Sequence, residues 1–393
     1  MNEGAAAIRP LVAAAAAHYT AVIGFRISVA LALVQQGLSP ATIGAVLATF
    51  ALVPMLLAVR GGQLVDRVGV ARPMRWGTAL AGAGALAAAA VPHPAVLALA
   101  AGVVGVGTMG FHLGMQHACG EVGGPARRTA NFNLLTMSFS ISGLSGPPAA
   151  GLLIDLAGHR AAFALSAALL GAVLLALGRY PFDRHVPTHP APPDDGPDGA
   201  PPERGAGAAF ELLGAPRLRR LLIASLLASA SWDVYQFVLP LHAHAIGLSA
   251  SSVGLSIAAF SAGSLSVRLL LPRLVERMHP AAWMRIALAV CVLAYAAAPF
   301  AGTLPVLLVL SFLIGTGPGI AQPLTMAALH RASPPGRAGE AAGLRMTLLS
   351  ATQLALPVGL GLVAGVLGTA SLFWLYAGAA AAIGIALVRA ERR

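Results

Sequence analysis

Lysine is absent from the 393 residues: all 25 basic side chains are arginine. Charge of either sign is scarce, with Asp, Glu, Lys and Arg together only 10% of the chain, and aromatic residues are 6%. With so little charge, a water-soluble fold of this length is excluded. The two cysteines, Cys119 and Cys291, lie in different halves of the chain without metal-type spacing. No disulfide and no thiol chemistry is expected of them. A Gly-rich nucleotide loop ending in Lys-Ser is also missing, which argues against ATP-driven work. The apolar stretches hold no convincing set of nucleophile, base and oxyanion donors, so neither an enzyme nor a cofactor is expected.

What the chain has in abundance is apolar length. It is 57% hydrophobic with a mean hydropathy of +0.79. A helix needs roughly 20 apolar residues to cross a bilayer, and twelve such runs occur, near 11–34, 42–59, 74–91, 95–119, 131–154, 160–180, 218–241, 250–271, 281–300, 304–329, 344–367 and 370–388. Lipid offers the backbone no hydrogen-bond partners, so each run must satisfy itself, and Ala- and Leu-rich runs do this as helices. The first run is long and polar in its middle, which predicts a retained helix rather than a cleaved leader.

The net charge of +11 invites comparison with nucleic-acid binders, but its placement points elsewhere. With the N-terminus in the cytoplasm, 22 of the 25 arginines fall in inside segments, and Arg160 is the lone arginine of an outside loop. This is the positive-inside asymmetry, repeated loop by loop, and it predicts both termini in the cytoplasm. It leaves no need for a nucleic-acid partner.

Residues 183–216 shift to Pro, Gly, Asp and Arg, the composition of a disordered cytoplasmic linker. The linker separates two expected six-helix bundles, 1–182 and 217–393, and these share one internal offset of 210 residues. Gly37-Leu38-Ser39, Gly44 and Phe50 recur as Gly247-Leu248-Ser249, Gly254 and Phe260. The same shift carries Asp66-Arg67 to Glu276-Arg277, Arg127 to Arg337, Pro147 to Pro357, Gly151 to Gly361 and Phe163 to Phe373. Parallel repeats with an even number of helices each are therefore expected, related by an axis along the membrane normal.

The segment Gly62-Gln63-Leu64-Val65-Asp66-Arg67-Val68-Gly69-Val70-Ala71-Arg72 resembles the cytoplasmic loop signature of the major facilitator superfamily. Its glycines allow a tight turn, and its acid can sit against arginines and the positive end of a helix. The resemblance implies an all-α membrane protein of twelve transmembrane helices in two six-helix bundles. It further implies a monomer in the bacterial inner (cytoplasmic) membrane that carries a small solute by alternating access. It assigns Gly62, Asp66, Arg67, Gly69 and Arg72, with Glu276, Arg277, Arg127 and Arg337, to a cytoplasmic gate. A second segment, Gly143-Leu144-Ser145-Gly146-Pro147-Pro148-Ala149-Ala150-Gly151, resembles the Gly-Pro motif of proton-driven antiporters in this superfamily. It supports proton-coupled export, with Gly146, Pro147 and Gly151 as a hinge; a purely structural kink would look the same. Proton-coupled uptake of an organic anion or nutrient and a non-transporting membrane sensor are the alternatives.

Charges at membrane depth point to function, because each costs roughly 2.5–3.5 kcal/mol to insert near a helix centre. Arg26 in the first helix and Asp233 in the seventh lie at similar depth. In the family arrangement they can pair, closing an outer gate or coupling transport to protons as Asp233 loses its partner; a static ion pair is the alternative. Around them, His112 and Gln116 on the fourth helix, Trp232, Tyr235 and Gln236 on the seventh and Gln322 on the tenth are candidates to line a substrate cavity. The offset of 210 places His112 on Gln322 and Arg26 on Gln236. Met109, His112, Met115 and His117 could suggest a soft metal as cargo, but few of them share a helix face, so no metal site is assigned. Arg268, near the inner end of the eighth helix, is expected to snorkel to the cytoplasmic surface.

Overall fold

The computed structural model describes residues 3–182, 211–277, 280–332 and 338–391; side chains within 57–67, 271–277 and 338–343 are outside that description. The linker is thus described only from residue 211 onward. Of the gate residues, Gly62, Asp66, Arg67, Glu276, Arg277 and Arg337 also lie outside the described side chains.

Helix is the dominant element. The first four helices are α1 (Glu3–Gln35), α2 (Pro40–Val68), α3 (Ala71–Ala90) and α4 (Pro94–Glu121). The run Pro125–Arg179 is interrupted at Gly158, whose φ of 79° lies in the left-handed region, and divides there into α5 (125–157) and α6 (159–179). After the linker come α7 (Pro216–Ala245), α8 (Ala250–Arg277), α9 (Pro280–Ala297), α10 (Leu304–Ala332), α11 (Ala338–Leu367) and α12 (Thr369–Glu391). Twelve helical rods therefore stand among the described residues, in the order expected. By length and apolarity, eight described stretches suffice to cross a membrane, and one of these, Ala130–Arg179, has 50 residues. At 1.5 Å per residue it is long enough for two crossings. Pro40–Leu56 and Thr369–Ile385 are shorter apolar helices. α3 is poorer in large apolar residues, being built from alanine and glycine, and it carries Arg72 and Arg75.

One boundary differs from the sequence reading in an informative way. The apolar run at 42–59 continues as helix through the loop signature to Val68, and the turn comes at Gly69, with φ 76°. Gly61 and Gly62 stay helical, and the helix stops where Gly69 takes a positive φ.

The offset of 210 residues reappears in the backbone. Gly37 and Gly247 end α1 and α7 with φ of 71° and 73°, and Gly158 and Gly368 both turn the chain with φ of 79°. Helix crossings match as well. Gly105 on α4 abuts the carbonyl of Phe50 on α2, and Gly315 on α10 abuts that of Phe260 on α8. Gly254 faces the carbonyl of Pro147 as Gly44 faces that of Pro357, while Gly151 faces Ala250 as Gly361 faces Pro40. In each case a Cβ would collide with backbone, so glycine is what permits the approach.

Two compact units result. The first comprises Met1–Leu38, Ala45–Asp195 and Ser249–Ala258, the second Ser39–Gly44, Gly196–Leu248 and Ala259–Arg393. The opening turns of α2 and α8, which are equivalent under the offset, thus each pack in the unit formed mainly by the other half of the sequence. The first unit has a core of Ile8, Leu11, Tyr19, Met74, Phe111, Met115 and Cys119 with their neighbours. In the second, Leu218, Leu222, Leu329 and Leu344 form a buried cluster.

Candidate functional site

In the first unit, polar groups gather where α1 meets α4. Tyr19 Oη lies 2.7 Å from His112 Nδ1, and Gln116 Nε2 lies 2.8 Å from His112 Nε2. His112 and Gln116 are one turn apart on α4, so the ring and the amide share a face. Phe139 of α5 stacks on Tyr19 at 4.2 Å between centroids and meets His112 edge-on at 5.7 Å. Both ring nitrogens of His112 are engaged, which leaves no lone pair for a metal in this arrangement. Met115 is wholly buried in the core that also holds Tyr19. Among the described residues no group of three His, Cys, Asp or Glu is placed to hold a metal ion.

His18, beside Tyr19, turns the other way. It is fully buried, stacks on Phe111 at 3.9 Å and approaches Thr78 Oγ1 at 3.5 Å. Arg26, two turns further along α1, is half-buried with its guanidinium carbon 6.0 Å from the ring centroid of Phe50, within cation–π range.

In the second unit, Asp233 is 4% exposed on α7 and Gln236 likewise 4%. Burial of a carboxylate to this degree in an apolar helix is costly and is characteristic of working groups in membrane proteins. Trp232 and Tyr235 both lie against Phe260 of α8, at 5.1 and 5.2 Å between centroids. Tyr235 has no exposed surface and is hydrogen-bonded to Ser311 of α10. On α7 it points about 60° away from Trp232 and about 100° away from Gln236.

Arg268 corrects an expectation. It does not run out to the surface: Nη2 donates to Gln322 Oε1 over 2.6 Å, joining α8 to α10. The inside arginine Arg345 likewise turns inward, its Nε donating to Ser225 Oγ of α7 at 2.6 Å.

The Gly-Pro segment is continuous helix, and its small residues are seams. A Cβ on Gly146 would stand 2.6 Å from the carbonyl of Thr20, so α5 and α1 pack backbone to backbone, while Pro147 and Gly151 receive the first turns of α8. At the end of this seam the carboxylate of Asp155 accepts from the amides of Ala250 and Ser251, at 3.0 and 2.8 Å, and caps the N-terminus of α8. Of the gate residues that are described, Gly69 makes the turn noted above, Arg72 is exposed and Arg127 is half-buried.

Tyr19, Asp155 and Arg268 were not singled out by the sequence as site residues. Tyr19 reads as core in an alanine-rich helix. Asp155 and Arg268 are charges near helix ends, where the offset alone offers a signal: its equivalents for them are Gly365 and Ala58.

Known proteins fit this geometry. The profile of the Major Facilitator Superfamily matches residues 11–349 and 221–393, and the chain belongs to that family of membrane transporters. Its fold is similar to that of the nucleoside transporter NupG, with a TM-score of 0.74 and 16% identity over 99% of both chains. A peptide transporter POT solved with sulfate gives 0.72 and 17% identity over 98% of this chain and 94% of the other. The POT family transporter PepTSo gives 0.73 and 14% over 98% and 97%. No curated protein sequence matches significantly.

Proposed function

We propose that this protein is a secondary active transporter that exports a small organic solute in exchange for protons, as a monomer in the bacterial cytoplasmic membrane with both termini inside. The observation that carries the proposal is the placing of polar groups at depth in otherwise apolar helices. These are Tyr19, His112 and Gln116 in one unit and Asp233, Gln236 and the Arg268–Gln322 pair in the other. Lipid cannot solvate such groups, and a protein that retains them uses them to receive a polar cargo. The printed titles of the structural neighbours name nucleoside and peptide transporters, which agrees with a small polar organic cargo. Asp233 is the group for the proton, because it is the described buried carboxylate and its charge is the one that depends on what faces it. Export follows from the likeness of 143–151 to the antiporter motif.

Direction is tested in vesicles. With a ligand found by thermal-shift screening of purified protein, inverted vesicles energised with an inside-acid gradient accumulate the ligand, and right-side-out vesicles do not. Gradient-driven accumulation in right-side-out vesicles alone would replace export with uptake.

A further inference from the structure

We propose that Arg268 and Gln322 form a recognition site for an anionic group, a carboxylate or a phosphate monoester, so that the cargo is an organic anion. The inference rests on the transport reading above and adds the charge of the solute.

It starts from the α8–α10 crossing. Phe260 meets Gly315, Gly263 meets Phe312 and Ser264 meets Gly319, each glycine so close to a carbonyl that a Cβ would collide. These contacts descend both helices in single turns, and the next step is Arg268 on α8 and Gln322 on α10. The seam fixes the two side chains in position, and the 2.6 Å bond from Nη2 to Oε1 fixes their orientation. With its amide oxygen turned to the guanidinium, Gln322 presents its NH2 group beside it, and Arg268 has only N–H donors. A pair in which donors outnumber acceptors, one of them cationic, has the polarity of an anion site.

Among the described residues, no carboxylate is bonded to this cation. Its hydrogen-bond partner among the described residues is the neutral amide, and its buried Nε has no partner among them. Arg268 lies in the apolar stretch Ala250–Leu270 and Gln322 in Leu304–Gln322, and the guanidinium is turned inward to the amide although an arginine at such a place can snorkel outward.

The internal repeat shows that the guanidinium's task is not packing. The offset of 210 residues maps the Phe260–Gly315 contact onto Phe50–Gly105, the same crossing in the first unit. There the equivalent of Arg268 is Ala58 and that of Gln322 is His112, which turns to Tyr19 and Gln116. One fold thus builds this helix pair twice, with arginine at this position in the second copy and alanine at the equivalent position in the first.

The test uses the full-length protein in lipid nanodiscs with benzoate, phenyl phosphate, benzamide and benzylamine as probes. Ligand that binds the folded state raises the melting temperature. Benzoate and phenyl phosphate are expected to raise it for the wild type, while benzamide and benzylamine leave it unchanged. Arg268→Gln removes the anion shifts. Should that variant fail to fold, Gln322→Glu serves instead: its carboxylate occupies the guanidinium, so the protein stays folded and the anion shifts vanish. Anion shifts that persist in these variants, no anion shift in the wild type, or a shift with benzylamine in their place would each overturn the site. Benzoate counterflow in proteoliposomes separates the two readings. Anion binding without flux would refute transport and keep the site, and benzylamine flux without anion binding would refute the site and keep transport.

Discussion

At the scale of single residues, the account turns on side chains that apolar helices would exclude if packing were their only task. His112 holds a hydroxyl on one nitrogen and an amide on the other, so removing the imidazole strands both partners. Each lost hydrogen bond is worth about 1 kcal/mol, and His112→Ala is expected to lower solute affinity roughly ten- to thirtyfold with folding retained. Equilibrium binding of the screened ligand to purified variant and wild type checks this, and unchanged affinity would place His112 outside the site. His112, Gln116, Asp233 and Gln322 were legible in the sequence because polarity inside an apolar run is visible without a structure. Which way a helical side chain faces is not. Tyr235 and Trp232 are three residues apart on α7 and differ in surroundings, one sealed against Ser311 and the other half-buried. Arg268 was assigned to the surface because its side chain is long enough to reach it, and only the placing of α10 shows that Gln322 is nearer.

At the scale of elements, two devices position these residues: glycine seams and helix ends. The seams were legible in part, since glycines that recur at a fixed offset mark equivalent crossings, but their partners could not be read. Gly254 faces Pro147 and Gly44 faces Pro357, contacts between elements over a hundred residues apart or more. The extension of α2 through the loop signature was not legible either, because Gly61, Gly62 and Gly69 are alike as residue types and only the last takes a positive φ. Asp155 gives the clearest prediction here. Its carboxylate satisfies two amides at the start of α8 that have no partner within the helix. Loss of such a cap costs about 1 kcal/mol, so Asp155→Ala is expected to lower the melting temperature by a few degrees while Asp155→Asn, which keeps one acceptor, lowers it less. Equal melting temperatures for all three proteins in thermal unfolding would show that the cap contributes nothing.

At the scale of the whole molecule, the helix count, the order of elements and the internal repeat were all present in hydropathy and spacing, because lipid restricts a spanning chain to helices and so removes most alternatives. The charge pattern makes a prediction of its own. With 22 of 25 arginines in segments assigned to the inside, a reporter active only in the periplasm, fused after Arg393, is expected to be silent, whereas one that fluoresces only in the cytoplasm is bright. The reverse pattern would invert the topology and with it the sense of export. Substrate chemistry was the least legible property, since it depends on few side chains and on their orientation across helices.

Flux driven by a pH gradient in proteoliposomes, wild type against Asp233→Asn, is the most direct test of the mechanism. The substitution keeps the size of the side chain and removes its ability to exchange a proton. Gradient-driven accumulation is expected to disappear in the variant while solute exchange without a gradient persists; accumulation at the wild-type rate would contradict coupling through Asp233.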